Sequence, residues 1–290
     1  MLEPGQLTGP VEVGPIAHGG HCVARVDGVV VFVRHAIPGE LVTLRVTEVQ
    51  SKFARADVAE VLEASPARRR PPCPVAGECG GCDFQHLAAP DSRELKRRVV
   101  AELLEHHAGI RFDGEVEGFD DGFGWRTRMR YQRTADGGLG LRRHRSEEVV
   151  PLPPEGCRIA ADAIARPGRA PAGAAEVLGV AASSGELVAD RARVPATVTE
   201  RVGRRRFEVA TDGFWQSHRL APRVLTEAVV TALDPQPGER AFDLFCGVGP
   251  FALRLAAKAK VNAFDSDAGA VTALQKAATS TPGLKPVRAE

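Results

Sequence analysis

The chain has 290 residues, 43% of them hydrophobic, with 38 Lys and Arg against 37 Asp and Glu and a formal net charge of +1. That size and composition exclude a disordered tail and leave room for two or three domains with their own cores. The near-neutral balance gives no overall charge bias toward a nucleic-acid partner, yet basic residues cluster at Arg68–Arg70, Lys96–Arg98, Arg142–Arg145 and Arg204–Arg206. Such clusters are usually solvated surface, but local potential rather than net charge steers a polyanion, and four of them point to one. The start, MLEPGQLTGP, lacks the basic stretch and apolar run of a signal peptide, and no apolar run is long enough to span a bilayer. The expectation is a cytoplasmic protein without a membrane partner.

Residues 1–65 read as all-β. GHCVARVDGVVVFV is β-branched and broken by a turn at Asp27-Gly28, and LVTLRVTEV alternates after a second turn at Ile37–Glu40. Short strands with Gly and Pro turns in so small a piece predict a closed β-barrel. The linker ASPARRRPP (64–72) marks a boundary. Next, DSRELKRRVVAELLEHHAG predicts a helix capped by Asp91 or Ser92, with Leu95, Val99 and Leu103 on one face and Gly109 as its stop. Residues 66–210 form a mixed α+β central domain, mainly β beyond residue 110. From residue 211 the texture is α/β. An amphipathic helix with Leu220, Val224 and Ala228 on one face leads to a turn at Pro235–Gly238. A buried strand RAFDLF follows, then a Gly loop, a helix (251–258), a strand (260–264) and a last helix from Asp267. That is the opening of a Rossmann-like domain, incomplete by residue 290.

Three thiols fall within ten residues, as Cys73-x5-Cys79-x2-Cys82. In a reducing compartment such spacing points to metal rather than disulfides. Four Cys thiolates hold an iron–sulfur cubane, and Cys157, in the same middle region, is the chosen fourth ligand. Cys22 lies in a predicted strand and Cys246 in the Gly loop. A local zinc site of Cys73, Cys79, Cys82 and His86 uses the same residues, and unliganded thiols are the third reading. Spacing alone does not separate iron–sulfur from zinc.

FDLFCGVGPF (242–251) carries an acid at the strand end, then Gly247-x-Gly249 before a helix. Gly247 permits the turn and Gly249 is expected to admit a ligand. Asp265, 22 residues after Asp243, ends the next strand and is placed to accept hydrogen bonds from ribose hydroxyls. Ala252 stands where a third Gly of GxGxxG would fall, so S-adenosylmethionine fits better than a dinucleotide. Cys246 reads as a small packing residue under the ligand rather than as a nucleophile.

Together these residues resemble the RNA uracil-C5 methyltransferases, in the 23S rRNA-type branch with an N-terminal TRAM barrel and a [4Fe–4S] cluster. GGHCVARVDGVVVFVRHAIPGE is similar to the TRAM signature, and the cysteine trio with Cys157 to the cluster ligands. WRTRMRY (125–131) resembles a central-domain strand, and FWQSH (214–218) the segment whose Gln, here Gln216, contacts cofactor. The resemblance implies a TRAM β-barrel at 1–65, an iron–sulfur and RNA-binding domain at 66–210, and the first part of a methyltransferase domain at 211–290. It implies S-adenosylmethionine held by Gln216, Phe245, Gly247, Gly249 and Asp265. It implies a [4Fe–4S] cluster on Cys73, Cys79, Cys82 and Cys157. Pro250 departs from members that carry a polar cofactor contact there. The family's later motifs, a DPP segment and a catalytic Cys followed by a base, are not among these residues. A C-terminally truncated chain, inactive alone, is therefore expected, with no catalytic residue of its own.

In the family's reaction a Cys thiolate adds to uracil C6, which makes C5 able to attack the cofactor methyl. RNA, ribosomal rather than transfer, is the expected partner of a monomer. Arg126, Arg128 and Arg130 alternate along one predicted strand and would share a face, beside Trp125 and Tyr131 for stacking. The alternatives are a non-catalytic RNA-binding protein that keeps the barrel and metal domain, and a methyltransferase acting on another base.

Overall fold

The computed structural model describes residues 2–118 and 122–290. The chain forms two compact units, Met1–Gly122 with Arg142–Val150, and Phe123–Leu141 with Pro151–Glu290.

In the first unit, β1 (Leu7–Glu12), β2 (Cys22–Val26), β3 (Val29–Arg34), β4 (Leu41–Val49) and β5 (Phe53–Glu63) make one sheet in the order β1-β4-β5-β3-β2. The predicted Asp27-Gly28 turn joins β2 to β3, with both residues at positive φ, as a two-residue hairpin demands. The pairing is antiparallel except between β3 and β5. Just past β1, Gly14 N–H donates to Val23 O and Val23 N–H to Pro15 O, which ties the two ends of the sheet together. Val31, Val33, Val42, Leu44 and Ala54 alternate inward and are fully buried.

Glu40, at the end of the predicted Ile37–Glu40 turn, is wholly buried. It accepts from Arg68 Nε at 2.5 Å and Nη2 at 2.6 Å, and from the backbone N–H groups of Ile37 and Ser65. Burial pushes its carboxyl up, but these donors outweigh burial and hold it below its ordinary value. Arg68, counted in the sequence among surface basic clusters, is therefore an internal tie between the linker and the sheet.

Helix α1 (Ala89–Ala108) begins two residues earlier than Asp91, because Pro90 occupies its first turn and Ala88 caps it without a side-chain bond. Leu95 is its buried anchor, and Gly109 ends it in the left-handed region, as expected. The residues Arg142–Val150 return to this unit, where Gly80 N–H donates to Arg142 O at 2.9 Å.

The second unit contains β6 (Arg128–Arg133), most of β7 (Leu139–Arg142), the end of β8 (Val149–Pro151), α2 (Asp162–Ala165), β9 (Glu176–Ala182) and β10 (Gly185–Asp190). Strands β10, β9, β6 and β7 lie side by side in that order. A separate hairpin follows, β11 (Thr197–Val202) with β12 (Arg205–Ala210), then α3 (Ala221–Leu233). The chain then runs through β13 (Arg240–Asp243), α4 (Pro250–Leu255), β14 (Lys260–Ala263), α5 (Ala268–Ser280) and β15 (Val287–Ala289). The last three strands form a parallel sheet, β13-β14-β15, so the segment near Val287 supplies a third strand beside the two read in the sequence. Phe207, Trp215, Val248, Leu253, Leu255, Val261 and Leu274 form the core here.

Two expectations are corrected. Strand β13 is not buried: it pairs only with β14, and Phe242, Leu244 and Phe245 are 58, 61 and 90% exposed. Helix α3 buries Ala221, Pro222 and Thr226 rather than the Leu220–Val224–Ala228 stripe, because its Pro-led first turn sets a different face inward.

Candidate cofactor and nucleic-acid site

Strand β13 delivers Asp243 and strand β14 delivers Asp265 to the same end of the parallel sheet, on either side of the Leu244–Gly249 loop. Asp243 accepts from Ala252 N–H at 3.1 Å, inside the first turn of α4. Burial raises its carboxyl above the ordinary range, and the neighbouring Asp265 adds to this. Asp265 has the opposite environment. Its Oδ1 accepts from Asp267 N–H at 2.9 Å and its Oδ2 from Gly247 N–H at 2.7 Å, which hold it below the ordinary range. An ionised, acceptor-only carboxylate at a strand end is chemically suited to a pair of hydroxyl donors.

The two loop glycines differ. A Cβ on Gly247 would meet open space, whereas a Cβ on Gly249 would lie 2.2 Å from Leu274 Cδ1. Gly249 thus also lets α4 pack closely against α5. Gly247 is the residue with free space over it. Phe245 projects from the loop almost fully exposed. Cys246 is buried in the core, and burial, with Asp243 and Asp265 nearby, pushes its thiol up to about 11. It packs, as expected.

Gln216 lies between β12 and α3, half-buried, and its side chain makes no hydrogen bond among the described residues. Its segment is pinned by the other motif. Thr127 N–H and Oγ1 donate to Ser217 O at 2.7 and 3.0 Å, and Arg219 N–H donates to Trp125 O. Trp125 stacks on His218 at 5.5 Å and 11°. WRTRMRY and FWQSH, distant in sequence, are therefore neighbours in space. A cavity of about 600 Å3 joins Phe214 to Val248, Asp267 and Gly269, so the Gln216 segment and the glycine loop border one space.

Of the three arginines, Arg130 alone is exposed and unpaired among the described residues. Arg126 lies before β6, with its guanidinium 5.9 Å from the Trp125 ring. Arg128 is taken up internally: Nη2 meets Glu200 at 3.1 Å and Nη1 donates to Thr211 O, with side chains 11 and 7% exposed. Tyr131 is wholly buried and donates its hydroxyl to Ile164 O, so it is a core residue and not a stacking platform. The charge on Arg128 was spent on a buried carboxylate that no local pattern announces.

The cysteine loop coils on itself, with Cys79 N–H donating to Val75 O and Ala76 N–H to Cys73 O. Buried Arg34, from β3, pairs with Asp83 at 2.7 Å and donates to Cys79 O and Cys82 O at 3.0 and 3.4 Å. Gln85 Oε1 accepts from Cys73 N–H. None of the six cysteines forms a disulfide among the described residues. Cys157 belongs to the second unit and the trio to the first. Among the described residues no group of three or more His, Cys, Asp and Glu is gathered to hold a metal ion, and the donor chemistry of the cysteine trio suits a thiolate-ligated metal.

These features define a nucleoside-cofactor α/β domain in a chain that also carries a small β-sheet domain and a cysteine loop. Residues 8–59 match the TRAM domain family. An RNA methyltransferase of Streptomyces avermitilis, itself named as uncharacterized, is 42% identical over 298 residues, covering 85% of this chain and 68% of that protein. The 23S rRNA (uracil(1939)-C(5))-methyltransferase RlmD of Shewanella amazonensis is 31% identical over 301 residues, covering 85% of this chain and 67% of that protein. A tRNA (uracil-54, C5)-methyltransferase of Pyrococcus abyssi, solved with S-adenosyl-L-homocysteine, shares the fold with a TM-score of 0.72 at 17% identity, over 97% of this chain and 79% of that one. The chain belongs to the TRAM-containing RNA methyltransferase family that includes the 23S rRNA uracil-C5 enzymes. No helix among the described residues is long and apolar enough to cross a membrane.

Proposed function

We propose that this chain binds S-adenosylmethionine and RNA as part of a uridine C5 methyltransferase acting on ribosomal rather than transfer RNA. The observation that carries the reading is the paired environment of Asp265 and Gly247: an ionised carboxylate beside a glycine with open space above it. In the bound state the ribose hydroxyls replace the Gly247 and Asp267 N–H groups as donors to Asp265. Phe245 supplies an aromatic face at the rim, and the unbonded amide of Gln216 is available to the cofactor's polar tail. Gly249 acts indirectly, by keeping α4 and α5 in place. Arg130 and Arg126 contact RNA phosphate, and Arg128 positions the strand that carries them.

None of the six cysteines is the attacking thiolate in this reading. Cys22 and Cys246 are buried thiols pushed up to about 12 and about 11. Cys73, Cys79, Cys82 and Cys157 are proposed as [4Fe–4S] ligands, on the chemistry of the donor set. When bound, the cluster would supply a structural cross-link, and no reaction step passes through it. The three functional segments are 1–65, 66–210 and 211–290, in a monomeric cytoplasmic protein.

The test is equilibrium binding of S-adenosylhomocysteine to wild type and Asp265→Ala, with a labelled-methyl assay on rRNA followed by nucleoside analysis. Loss of binding in the variant and label only in 5-methyluridine fits the reading. Label in another nucleoside, or wild-type indifference to the cofactor, overturns it. Iron and sulfide analysis of anaerobically purified protein tests the cluster, and zinc in their place would sink that assignment.

A further inference from the structure

The β11–β12 hairpin carries a cluster of arginines, and the one carboxylate on their face among the described residues, Glu208, accepts from Thr199 Oγ1 at 2.8 Å. In the ladder Arg201 stands directly opposite Arg206, and both project from the exposed face of the hairpin. Like charges directly opposed weaken a hairpin. Arg204 occupies the exposed turn between them. On the other face, Arg205 sits near Arg254 of α4, and burial together with that second cation lowers its pKa. The Arg205 Nε is buried and has no hydrogen-bond partner. None of these five arginines is within ion-pair distance of a carboxylate among the described residues. By contrast, Arg128 and Arg191 of the same unit each have one. Arg206 also lines the cavity of about 600 Å3, whose opposite wall contributes Lys276 from α5 and whose rim holds Phe214, 80% exposed.

Opposed guanidinium groups with no carboxylate within ion-pair distance call for an anion from outside. Guanidinium binds phosphate through paired N–H donors, and an exposed aromatic beside it offers a stacking face for a base. We propose that the β11–β12 hairpin is a second phosphate-binding surface for RNA, distinct from β6, on which Arg201, Arg204 and Arg206 bind the backbone. The strand leaving it enters the cavity between β12 and α5, past Lys276 and Phe214. This rests on the proposal that the protein binds RNA.

The experiment is a fluorescence-anisotropy titration of a labelled stem-loop RNA with the whole chain at several salt concentrations. The proteins are wild type, R201Q/R206Q and R204Q, and calorimetric binding of S-adenosylhomocysteine is measured in parallel. The expected result for R201Q/R206Q is an affinity loss of about 10-fold near ~100 mM salt and a log–log salt slope shallower by roughly 1.4, about 0.7 for each phosphate no longer neutralised. R204Q should lose roughly half of that slope. Cofactor binding should be unchanged in R204Q, whose side chain lies outside the cavity lining, and R201Q/R206Q should melt at the same or a higher temperature, because an opposed like-charge pair has been removed. A merely structural role would lower the melting temperature instead. If wild type binds with a steep salt dependence and both variants keep the wild-type slope, the hairpin surface is overturned and the RNA reading stands. If wild type shows no salt-dependent binding, both fall. If R201Q/R206Q fails to fold, R204Q alone decides by its slope.

Discussion

Two glycine-containing loops, Cys73–Cys82 in the first unit and Phe245–Gly249 in the second, are held in opposite ways. A buried cation organises the first, where Arg34 reaches from β3 to Asp83 and to two cysteine carbonyls. Carboxylates organise the second, where Asp243 and Asp265 accept backbone N–H groups from either side of the turn. Each loop has one glycine under steric demand. A Cβ on Gly80 would stand 2.9 Å from His144 N and 3.0 Å from Arg142 O, and one on Gly249 would stand 2.2 Å from Leu274 Cδ1. Each also has one glycine over open space, Gly77 and Gly247. A glycine-rich loop therefore does not by itself mark a ligand. What marks it is which glycine is open and what donors or acceptors point beside it.

The largest effect expected is from Arg34→Ala, which strands Asp83 and takes away the donor to two carbonyls. Removing one partner of a largely buried pair costs about 3–5 kcal/mol, and chemical denaturation should read it as a lost first-unit transition. Gly249→Ala combines a left-handed backbone with a clash and should cost about 2–4 kcal/mol, with Leu274→Ala partly relieving the clash. Gly80→Ala meets backbone rather than a side chain and should cost about 1–3 kcal/mol, without a comparable rescue. If Gly80→Ala proved harmless, the sterically fixed first loop would have to be abandoned. Asp265→Asn should weaken S-adenosylhomocysteine binding about 10-fold or more and lower the melting temperature modestly, since the carboxylate that accepts from Gly247 and Asp267 N–H is lost in the free protein as well as in the complex. The smallest effect is Gly77→Ala, within about 0.5 kcal/mol of wild type.

Acid titration sharpens the same contrast. Asp265 is held below its ordinary value of 3.8, so its contribution is present above that value and lost as pH falls through the lower folded pKa. Asp243 is raised, so the native state binds its proton more readily, and that favourable term is lost as pH rises through the folded pKa. Asp243→Asn should therefore raise the neutral-pH melting temperature, and carbon-detected NMR titration should find the two carboxyls on opposite sides of 3.8. Finding both on one side would break the assignment of distinct roles.

Much of this was legible in the chain. The β13–loop–α4–β14 order, the Asp27-Gly28 hairpin and the Gly109 stop follow from local pattern, because each is set by backbone sterics within a few residues. What was not legible depends on partners distant in sequence. Tyr131 looked like a surface aromatic between arginines, but its hydroxyl finds Ile164 O 33 residues away. Arg128 looked free until Glu200, 72 residues on, occupied it. The exposure of Phe242 follows from how many strands flank β13, which no property of RAFDLF encodes. Glu40 left one faint signal: a carboxylate closing a tight turn between strands with alternating apolar residues.

The excursion Arg142–Val150 sets a schedule for synthesis. The first unit lacks a piece until the ribosome has translated from Cys82 on to Arg142, and Gly80 must wait for that carbonyl. At roughly 5–20 residues per second the cysteine loop stays unfinished for about 3–12 seconds after its thiols are made. During that interval its backbone stays open to solvent, and afterwards the returning segment covers Gly80.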